Sequence, residues 1–405
     1  MKDKNQKISK KILPLIFLAI FCQFLTSLNF YAINNYLQKQ GELFIGNQLD
    51  SRYWVIACFL GRILGMCVFG VYARCFGFFK SMQAISILFL TLTITFALFI
   101  FNEQLLHTLD DQFYFFRFYY CFLQPAALFL PLTYLFCITD SSKHLSLSAL
   151  SIFSVFSAEV FSFGLKFTQV FYPSLWAILP IITTCFGWGI YCYLQKISAN
   201  ETSATIQLES TMISKEIKIL STALGAASAT AIFFNHTFLS HYHTEIVILE
   251  THFNLSGVLY YLLWFLFIIP GCMLTKQFGF FKVAQFSLGC LIFLTFNPFF
   301  SDAQPFMLIV RQVTFAICSA FFIAPMLAAL HNLYEPSRSS SHKILWWTIG
   351  FSICIFIAFF EKDFSFRSGF TCFGWCVFNL SLILCLIALS LEKNYANADF
   401  LKNPK

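Results

Sequence analysis

Apolar residues occur in twelve long runs that are separated by short polar segments. A membrane-spanning helix needs about 20 mostly apolar residues. The runs are continuous rather than alternating, which favours helices over a β-barrel. The pattern predicts twelve transmembrane helices, at residues 12–35, 53–73, 79–101, 113–138, 145–167, 171–194, 218–240, 254–275, 280–300, 305–330, 343–360 and 368–391.

The longest internal polar segment lies between the sixth and seventh runs. It is rich in Ser and Thr, carries charges of both signs and has no helical periodicity, which is typical of a linker. The predicted fold class is therefore an all-α membrane protein with two pseudo-symmetric six-helix bundles. Its predicted parts are an N-terminal bundle (1–195), a cytoplasmic linker (196–217) and a C-terminal bundle (218–405).

Composition agrees with a membrane location. Hydrophobic residues make up 58% and charged residues 11% of the chain, against roughly 25% charged residues in an ordinary soluble domain. Most of the 15 Cys lie within the apolar runs, where they behave as small hydrophobic residues. No Cys or His group has metal-ligand spacing, so neither a metal nor a cofactor is expected.

Lys and Arg are distributed unequally between the two sides of the predicted membrane. If the N-terminus is cytoplasmic, eighteen lie on the inside and four on the outside, namely Lys39, Arg52, Lys362 and Arg367. Cytoplasmic loops carry the excess of Lys and Arg in membrane proteins. The count predicts that both termini are cytoplasmic, in a multi-pass protein of a bacterial inner (plasma) membrane. The net charge of +7 is thus a matter of loop orientation, and no nucleic-acid partner is expected.

Short motifs recur in the two halves in the same order. "ARCFGFFKS" (73–81) is echoed by "TKQFGFFKV" (275–283), and "SSKHL" (141–145) by "SSHKIL" (340–345). Arg117 precedes Pro131 by fourteen residues, as Arg311 precedes Pro325. Four ordered echoes, with Asn29 and Asn235 at similar depth as the fourth, predict two parallel six-helix repeats.

This organisation resembles the major facilitator superfamily, which also has a basic, glycine-containing loop after the second helix of each half. Gly70 and Gly271 look like the first glycine of that loop, and Arg117 looks like the arginine of the family's second motif. The resemblance implies gating loops at Arg74, Gly77 and Lys80 and at Lys276, Gly279 and Lys282. The acidic residue of the family loop is absent from both copies, which sets this chain apart from the usual charge-relay gate.

Charged side chains within the apolar runs cost at least about 2.5–3.5 kcal/mol each, so each needs a partner, a cavity or a route to the headgroups. Arg117 and Arg311 have matching depth, and guanidinium groups bind carboxylate or phosphate bidentately. By analogy with the family, the first and fourth helices of each half line a central cavity. The predicted substrate-binding residues are Arg117, Arg311, Asn29, Asn235, His236, Gln124 and Arg62. Snorkelling of the two arginines to the outer headgroups is the open alternative.

Glu159 and Lys166 are seven residues apart and share one helix face. Burial raises the pKa of a carboxyl group towards neutrality, so Glu159 is a candidate for proton coupling, with Lys166 beside it. The alternative is a structural ion pair with Lys166 or Arg62. Arg62, near the middle of the second run, is either a partner of Glu159 or a substrate ligand.

These features predict a secondary active transporter that moves a small polar, anionic metabolite by alternating access, with protons as the candidate coupling ion. The chain has no Walker lysine, HExxH or GxSxG motif, which excludes an ATP-driven pump within it and predicts no enzyme activity. Uptake of a neutral or zwitterionic solute, such as an amino acid or nucleoside, is one alternative, and an intramembrane transferase is another. The expected partners are the small-molecule substrate, the lipid bilayer and protons, and the chain is expected to act as a monomer.

Overall fold

The computed structural model describes residues 14, 16–29, 51–101, 110–139, 141–171, 173–199, 213–238, 245–248, 251–296, 305–332, 340–359 and 372–391. Several side chains within the helices lie outside this description, including those of Glu159, Lys166, Asn235 and His236.

Twelve long helices account for nearly all of the described residues. They are α1 (Ile16–Asn29), α2 (Ser51–Phe76), α3 (Phe78–Phe101), α4 (Asp110–Ile138), α5 (Ser141–Phe171), α6 (Pro173–Ala199), α7 (Lys215–Phe238), α8 (Leu255–Phe278), α9 (Phe280–Phe296), α10 (Pro305–Asn332), α11 (Ser340–Phe359) and α12 (Cys372–Leu391). One helix coincides with most of each predicted run, which confirms the predicted fold class. Helix α6 ends at Ala199 and α7 begins at Lys215, so both helices extend into the segment predicted as a linker.

Length and composition suit seven of these helices for crossing a membrane: α2, α3, α4, α5, α6, α7 and α10. The apolar stretches in the described parts of the other five are shorter. Proline occupies the first position of α6 and α10, where its missing N–H costs no helical hydrogen bond. The chain has the architecture of an integral multi-pass membrane protein.

A small β-hairpin precedes α8 and was not predicted. Strand β1 (Glu245–Ile248) pairs with β2 (Thr251–Asn254) in antiparallel register, with Glu245 opposite Asn254. The run Ile-Val-Ile in β1 is the sequence signal that could have indicated it, because β-branched residues favour strands.

Corresponding pairs of helices pack together in the two halves. In the N-terminal half, α2 packs on α4 and α3 on α6; in the C-terminal half, α8 packs on α10 and α9 on α12. The halves meet chiefly through α2 against α11 and through α5 against α8 and α10. The α2–α11 and α5–α8 contacts are equivalent, because replacing each helix by its counterpart in the other half converts one into the other. We call the boundary between the two halves the seam.

Close helix approach within each half depends on glycine. A Cβ built on Gly65 would lie 1.8 Å from the carbonyl oxygen of Phe122, on α4. A Cβ on Gly350 of α11 would lie 2.0 Å from the carbonyl oxygen of Thr222, on α7. Small residues at such positions let two helix backbones approach closely within a membrane. Gly61 and Gly65 thus form a small-residue face on α2 that packs against α4.

The two FGFFK segments form the same turn. Gly77 has φ +86° and Gly279 has φ +87°, in the left-handed region that favours glycine. In each copy the glycine N–H donates to the carbonyl four residues earlier at 2.9 Å, from Ala73 and from Thr275. Because the turns follow the equivalent helices α2 and α8 of two parallel repeats, they lie on one side of the molecule, which we call the FGFFK side.

Replacement of either turn glycine by alanine should destabilise the protein. A side chain in the left-handed region costs about 1–2 kcal/mol per residue, so Gly77→Ala and Gly279→Ala should each lower the unfolding temperature in detergent. Gly289→Ala is the matched control, because this helical glycine has open space around it. An unfolding temperature of Gly77→Ala equal to that of the control would contradict the assignment.

Candidate functional site

On the FGFFK side the seam is closed by polar contacts at helix ends. The His144 ring, on α5, places Nδ1 2.9 Å from Asn332 Oδ1, on α10 of the other half. Its Nε2 lies 3.0 Å from the carbonyl oxygen of Phe136 and 3.1 Å from that of Thr139, at the end of α4. Both carbonyls are acceptors, so Nε2 carries a proton and donates to them.

Lys343, at the start of α11, makes the equivalent contact in the C-terminal half. Its side chain is 1% exposed, and its Nζ donates to the carbonyl of His331, near the end of α10, at 3.1 Å. The last carbonyls of a helix lack helical partners and carry partial negative charge. His144 and Lys343 thus each cap the helix that precedes them. We call His144, Phe136, His331, Asn332 and Lys343 the seal.

Aromatic and polar contacts between the halves continue from the seal into the molecule. Ser148 Oγ donates to the Ala324 carbonyl at 2.5 Å, and Cys272 Sγ lies 3.8 Å from the Leu145 carbonyl oxygen. The first of these contacts joins α5 to α10 and the second joins α5 to α8. Farther along α5 and α8, the rings of Phe153 and Phe265 are 4.2 Å apart. The α5–α8 contact is therefore continuous over several helix turns.

A second group of contacts surrounds Trp347, on α11. Its Nε1–H donates to Ser228 Oγ of α7 at 3.3 Å, and the same atom lies 3.3 Å from Met326 Sδ of α10. The indole stacks on Phe351 at 5.1 Å and meets Phe129 of α4, in the other half, edge-on at 5.1 Å. Together with Arg62 these residues form what we call the central cluster.

Arg62 brings positive charge to this cluster. It lies near the middle of α2, half-buried, and its guanidinium sits 5.6 Å from the ring centroid of Phe351, across the seam. A guanidinium over an aromatic face is attracted by about 0.5–2 kcal/mol. The contact holds the charge at the boundary between the halves, at a depth far from both helix ends.

Arg117 approaches Arg62 within the N-terminal half. Its Nε donates to Cys58 Sγ, on α2, at 3.0 Å, and its guanidinium lies 5.2 Å from the Tyr120 ring. Both arginines lie within electrostatic reach of the thiols of Cys58 and Cys121. The structure thus groups Arg117 with Arg62 on adjoining helices.

Arg311 has the matching depth in α10, six residues from the helix start against seven for Arg117 in α4. It is 3% exposed and therefore enclosed by protein. This burial does not agree with snorkelling to the headgroups, the alternative that the sequence leaves open. Gln124 is half-buried on α4.

Asn29 does not face the seam. Its amide Nδ2 donates to Thr184 Oγ1 at 3.1 Å, and its Oδ1 accepts from Thr183, so that both contacts are to α6. The small pocket beside it, also lined by Tyr191, belongs to the N-terminal half. The structure therefore places Asn29 apart from the pocket that the sequence predicts for it with Arg117 and Arg311.

Four predicted site residues have side chains outside the described part of the structure. Glu159 and Lys166 lie on α5, and Asn235 and His236 on α7. Their proposed roles stay predictions.

Of the predicted gating residues, Arg74 has a described contact across the seam. Its Nη2 lies 2.6 Å from His342 Nε2, on α11. Lys80, Lys276 and Lys282 are exposed on the FGFFK side. Gly70 has open space where a Cβ would be, so close packing does not explain the glycine that resembles the family loop.

The seal and the Trp347 group are features that sequence reasoning missed. The echo of "SSKHL" by "SSHKIL" was a signal for the seal, because it contains His144 and Lys343. No comparable signal identified Trp347, since one Trp within an apolar run is also typical of lipid-facing positions.

No family model matches this sequence, and no curated protein is significantly similar to it. Solved structures do match. The proton:xylose symporter XylE superposes with a TM-score of 0.69 at 11% identity, covering 94% of this chain and 95% of that one. The fold is that of the major facilitator superfamily.

Two further structures with this fold match almost as completely. The E. coli fucose:proton symporter FucP has a TM-score of 0.60 at 13% identity, over 94% of this chain and 99% of its own. The human organic anion transporter MFSD10 has a TM-score of 0.62 at 10% identity, with the same coverage. The major facilitator fold thus covers 94% of this chain in all three comparisons.

Weakening the seal should expose the seam from the FGFFK side. Removal of a buried hydrogen-bonding partner costs about 1–3 kcal/mol, so His144→Ala should raise maleimide labelling of Cys272 roughly 5- to 100-fold. Labelling is measured by peptide mass spectrometry. Cys385, which is fully buried within the C-terminal half, is the internal control. Unchanged Cys272 labelling in the variant would show that the seal does not restrict access, and a parallel rise at Cys385 would indicate unfolding instead.

Proposed function

We propose that this chain is a secondary active transporter that moves a small polar, anionic metabolite by alternating access. The observation that carries the proposal is the position of Arg62, a guanidinium near the middle of a membrane helix at the boundary between two pseudo-symmetric halves. Secondary transporters bind substrate near the bilayer midplane at the interface of such repeats.

The symmetric seam supports alternating access. Because α2–α11 and α5–α8 are equivalent contacts, the halves can rock about the middle of the molecule without repacking their interiors. The seal closes one side in the present conformation. Both halves belong to one chain, so a monomer is a complete transport unit.

Grouped positive charge supports an anionic substrate. Arg62 and Arg117 lie around the same two thiols, and each guanidinium can bind a carboxylate or phosphate in bidentate fashion. Among the residues whose side chains the structure describes, the one acidic residue is Glu216, at the start of α7 on the FGFFK side. Of the matched structures, MFSD10 is an organic anion transporter, which agrees with this substrate class.

Orientation and coupling form part of the same proposal. The Lys and Arg count favours a cytoplasmic FGFFK side in a bacterial inner membrane. We place proton coupling at Glu159, the acidic residue in the middle of a predicted span. XylE and FucP are proton symporters, and the matched structures reported above are transporters rather than transferases.

A neutral polar solute is the second candidate. The Trp347, Phe129 and Phe351 rings, with the Ser228 hydroxyl between helices α7 and α11, offer an aromatic surface beside a hydrogen-bonding group. Such a surface suits a sugar, nucleoside or amino acid, and two of the matched structures are sugar transporters.

Counterflow of labelled metabolites in proteoliposomes tests both candidates. Liposomes loaded with one unlabelled compound should accumulate its labelled form transiently, and we expect accumulation for a carboxylated or phosphorylated metabolite. Accumulation of neutral solutes alone would replace the anion proposal by the second candidate. A proton ionophore should abolish uphill uptake but leave counterflow intact if protons are the coupling ion.

A further inference from the structure

Three nitrogen-bearing side chains converge on the FGFFK side, where α2, α7 and α11 end or begin. Arg74 of α2 contacts His342 of α11 at 2.6 Å. His342 also lies within electrostatic reach of Lys218, on α7. Lys218 Nζ is 5.6 Å from the ring centroid of Trp346, one turn beyond His342 on α11. We call Arg74, Lys218 and His342 the basic junction.

After Arg74 and His342 bond to each other, the remaining polar groups of the basic junction are all hydrogen-bond donors. A guanidinium is permanently protonated and has no acceptor, so Arg74 donates to His342 Nε2. The imidazole proton therefore resides on Nδ1, which is left as a donor, and Lys218 offers an ammonium group. All three residues are half-buried, so their charges are only partly hydrated. Such an arrangement fits an anion with several acceptor oxygens.

Apolar surface adjoins the junction. Val71, one turn before Arg74, is 55% exposed, and Ile219, next to Lys218, is 54% exposed. Both lie on helices long and apolar enough to cross a membrane. Trp and basic residues at helix ends are typical of the headgroup layer. An anion that binds here lies beside acyl chains, which favours a lipid over a free solute.

We propose that the basic junction binds the phosphate of an anionic phospholipid headgroup from the leaflet on the FGFFK side. Arg74 belongs to the N-terminal half, whereas His342 and Lys218 belong to the C-terminal half. One bound phosphate therefore joins the two halves on the side that the seal closes. The lipid favours the closed state by the difference between its affinities for the closed and open forms.

Native mass spectrometry of the full-length protein in detergent tests the proposal. The probes are dioleoylphosphatidylglycerol and, as the neutral comparison, dioleoylphosphatidylcholine. Wild-type protein should retain the anionic lipid preferentially. Each cation near an anionic lipid surface contributes about 1 kcal/mol, so Arg74→Gln and Lys218→Gln should each weaken retention of the anionic lipid about fivefold.

Lys276→Gln is the matched control. Lys276 holds the position of Arg74 in the second repeat, and its substitution removes the same charge. Lys218 has no described hydrogen bond across the seam through its side chain, so Lys218→Gln decides the matter if Arg74→Gln does not fold. Equal lipid retention in Lys218→Gln and Lys276→Gln overturns the proposal. Displacement of the lipid by millimolar inorganic phosphate in wild-type protein also overturns it, in favour of a soluble anion. Binding is read without transport, so the result does not depend on the proposed function.

Discussion

Gly65→Ala should prevent stable assembly of the N-terminal half. The added methyl group would lie 1.8 Å from the carbonyl oxygen of Phe122, a backbone atom that cannot rotate away. Either α2 and α4 separate along their whole contact or the helices bend. Overpacking of this kind costs roughly 1–3 kcal/mol or more, and α2 also forms half of the α2–α11 contact, so both the bundle and the seam are affected.

Fluorescence-detected size-exclusion chromatography of a tagged protein measures the outcome. We expect Gly65→Ala to shift most of the protein into the aggregate peak and to lower the unfolding temperature of the remainder. Gly70→Ala, on the same helix, has nothing within 4 Å of its new Cβ and should elute as wild type does. Gly350→Ala provides the second test, since its Cβ would lie 2.0 Å from the Thr222 carbonyl oxygen. Similar elution of Gly65→Ala and Gly70→Ala would show that α2 and α4 are farther apart than described.

Much of this fold was predictable from the sequence because membrane helices must satisfy their hydrogen bonds internally. That constraint makes every spanning segment a long apolar run, and all twelve helices followed from it. The FGFFK echo predicted equivalent turns, and Gly77 and Gly279 have matching backbone angles. Here local sequence and local structure correspond directly.

The site was harder to predict because the rotation of each helix about its own axis is set by packing against other helices. Asn29 lies on the first helix of its half, as predicted, yet it is turned towards α6 by two threonines. Arg117, on the fourth helix, is turned towards Cys58 of α2. Periodicity shows which residues share a helix face. Which other helix that face packs against depends on contacts between helices that are distant in sequence.

Arg62 keeps both of its predicted roles, because the Glu159 side chain lies outside the described residues. The sequence leaves it as a partner of Glu159 or as a substrate ligand. Its contact with Phe351 places it across from α11, where both halves meet. Under the alternating access that we propose, residues at this boundary would change their surroundings as the halves rock, as a substrate ligand must.

Arg62→Ala should abolish transport of the anion identified by counterflow while leaving the protein folded. Two charge-assisted hydrogen bonds from one guanidinium contribute together about 3 kcal/mol or more, which corresponds to a loss of at least about 100-fold in affinity. The remaining helix packing at Gly65 does not involve this side chain, so wild-type elution and unfolding temperature are expected.

Initial uptake rates in proteoliposomes measure the effect, and Arg62→Lys separates charge from geometry. Lysine keeps the positive charge but loses the planar fork that binds two oxygens at once, so partial uptake is expected. Lys196→Gln, an exposed charge at the end of α6, should transport at the wild-type rate. Wild-type uptake of the anion by Arg62→Ala would exclude Arg62 as its ligand. Equal loss in Arg62→Ala and Arg62→Lys would instead assign recognition to the fork, because the charge alone would then contribute little.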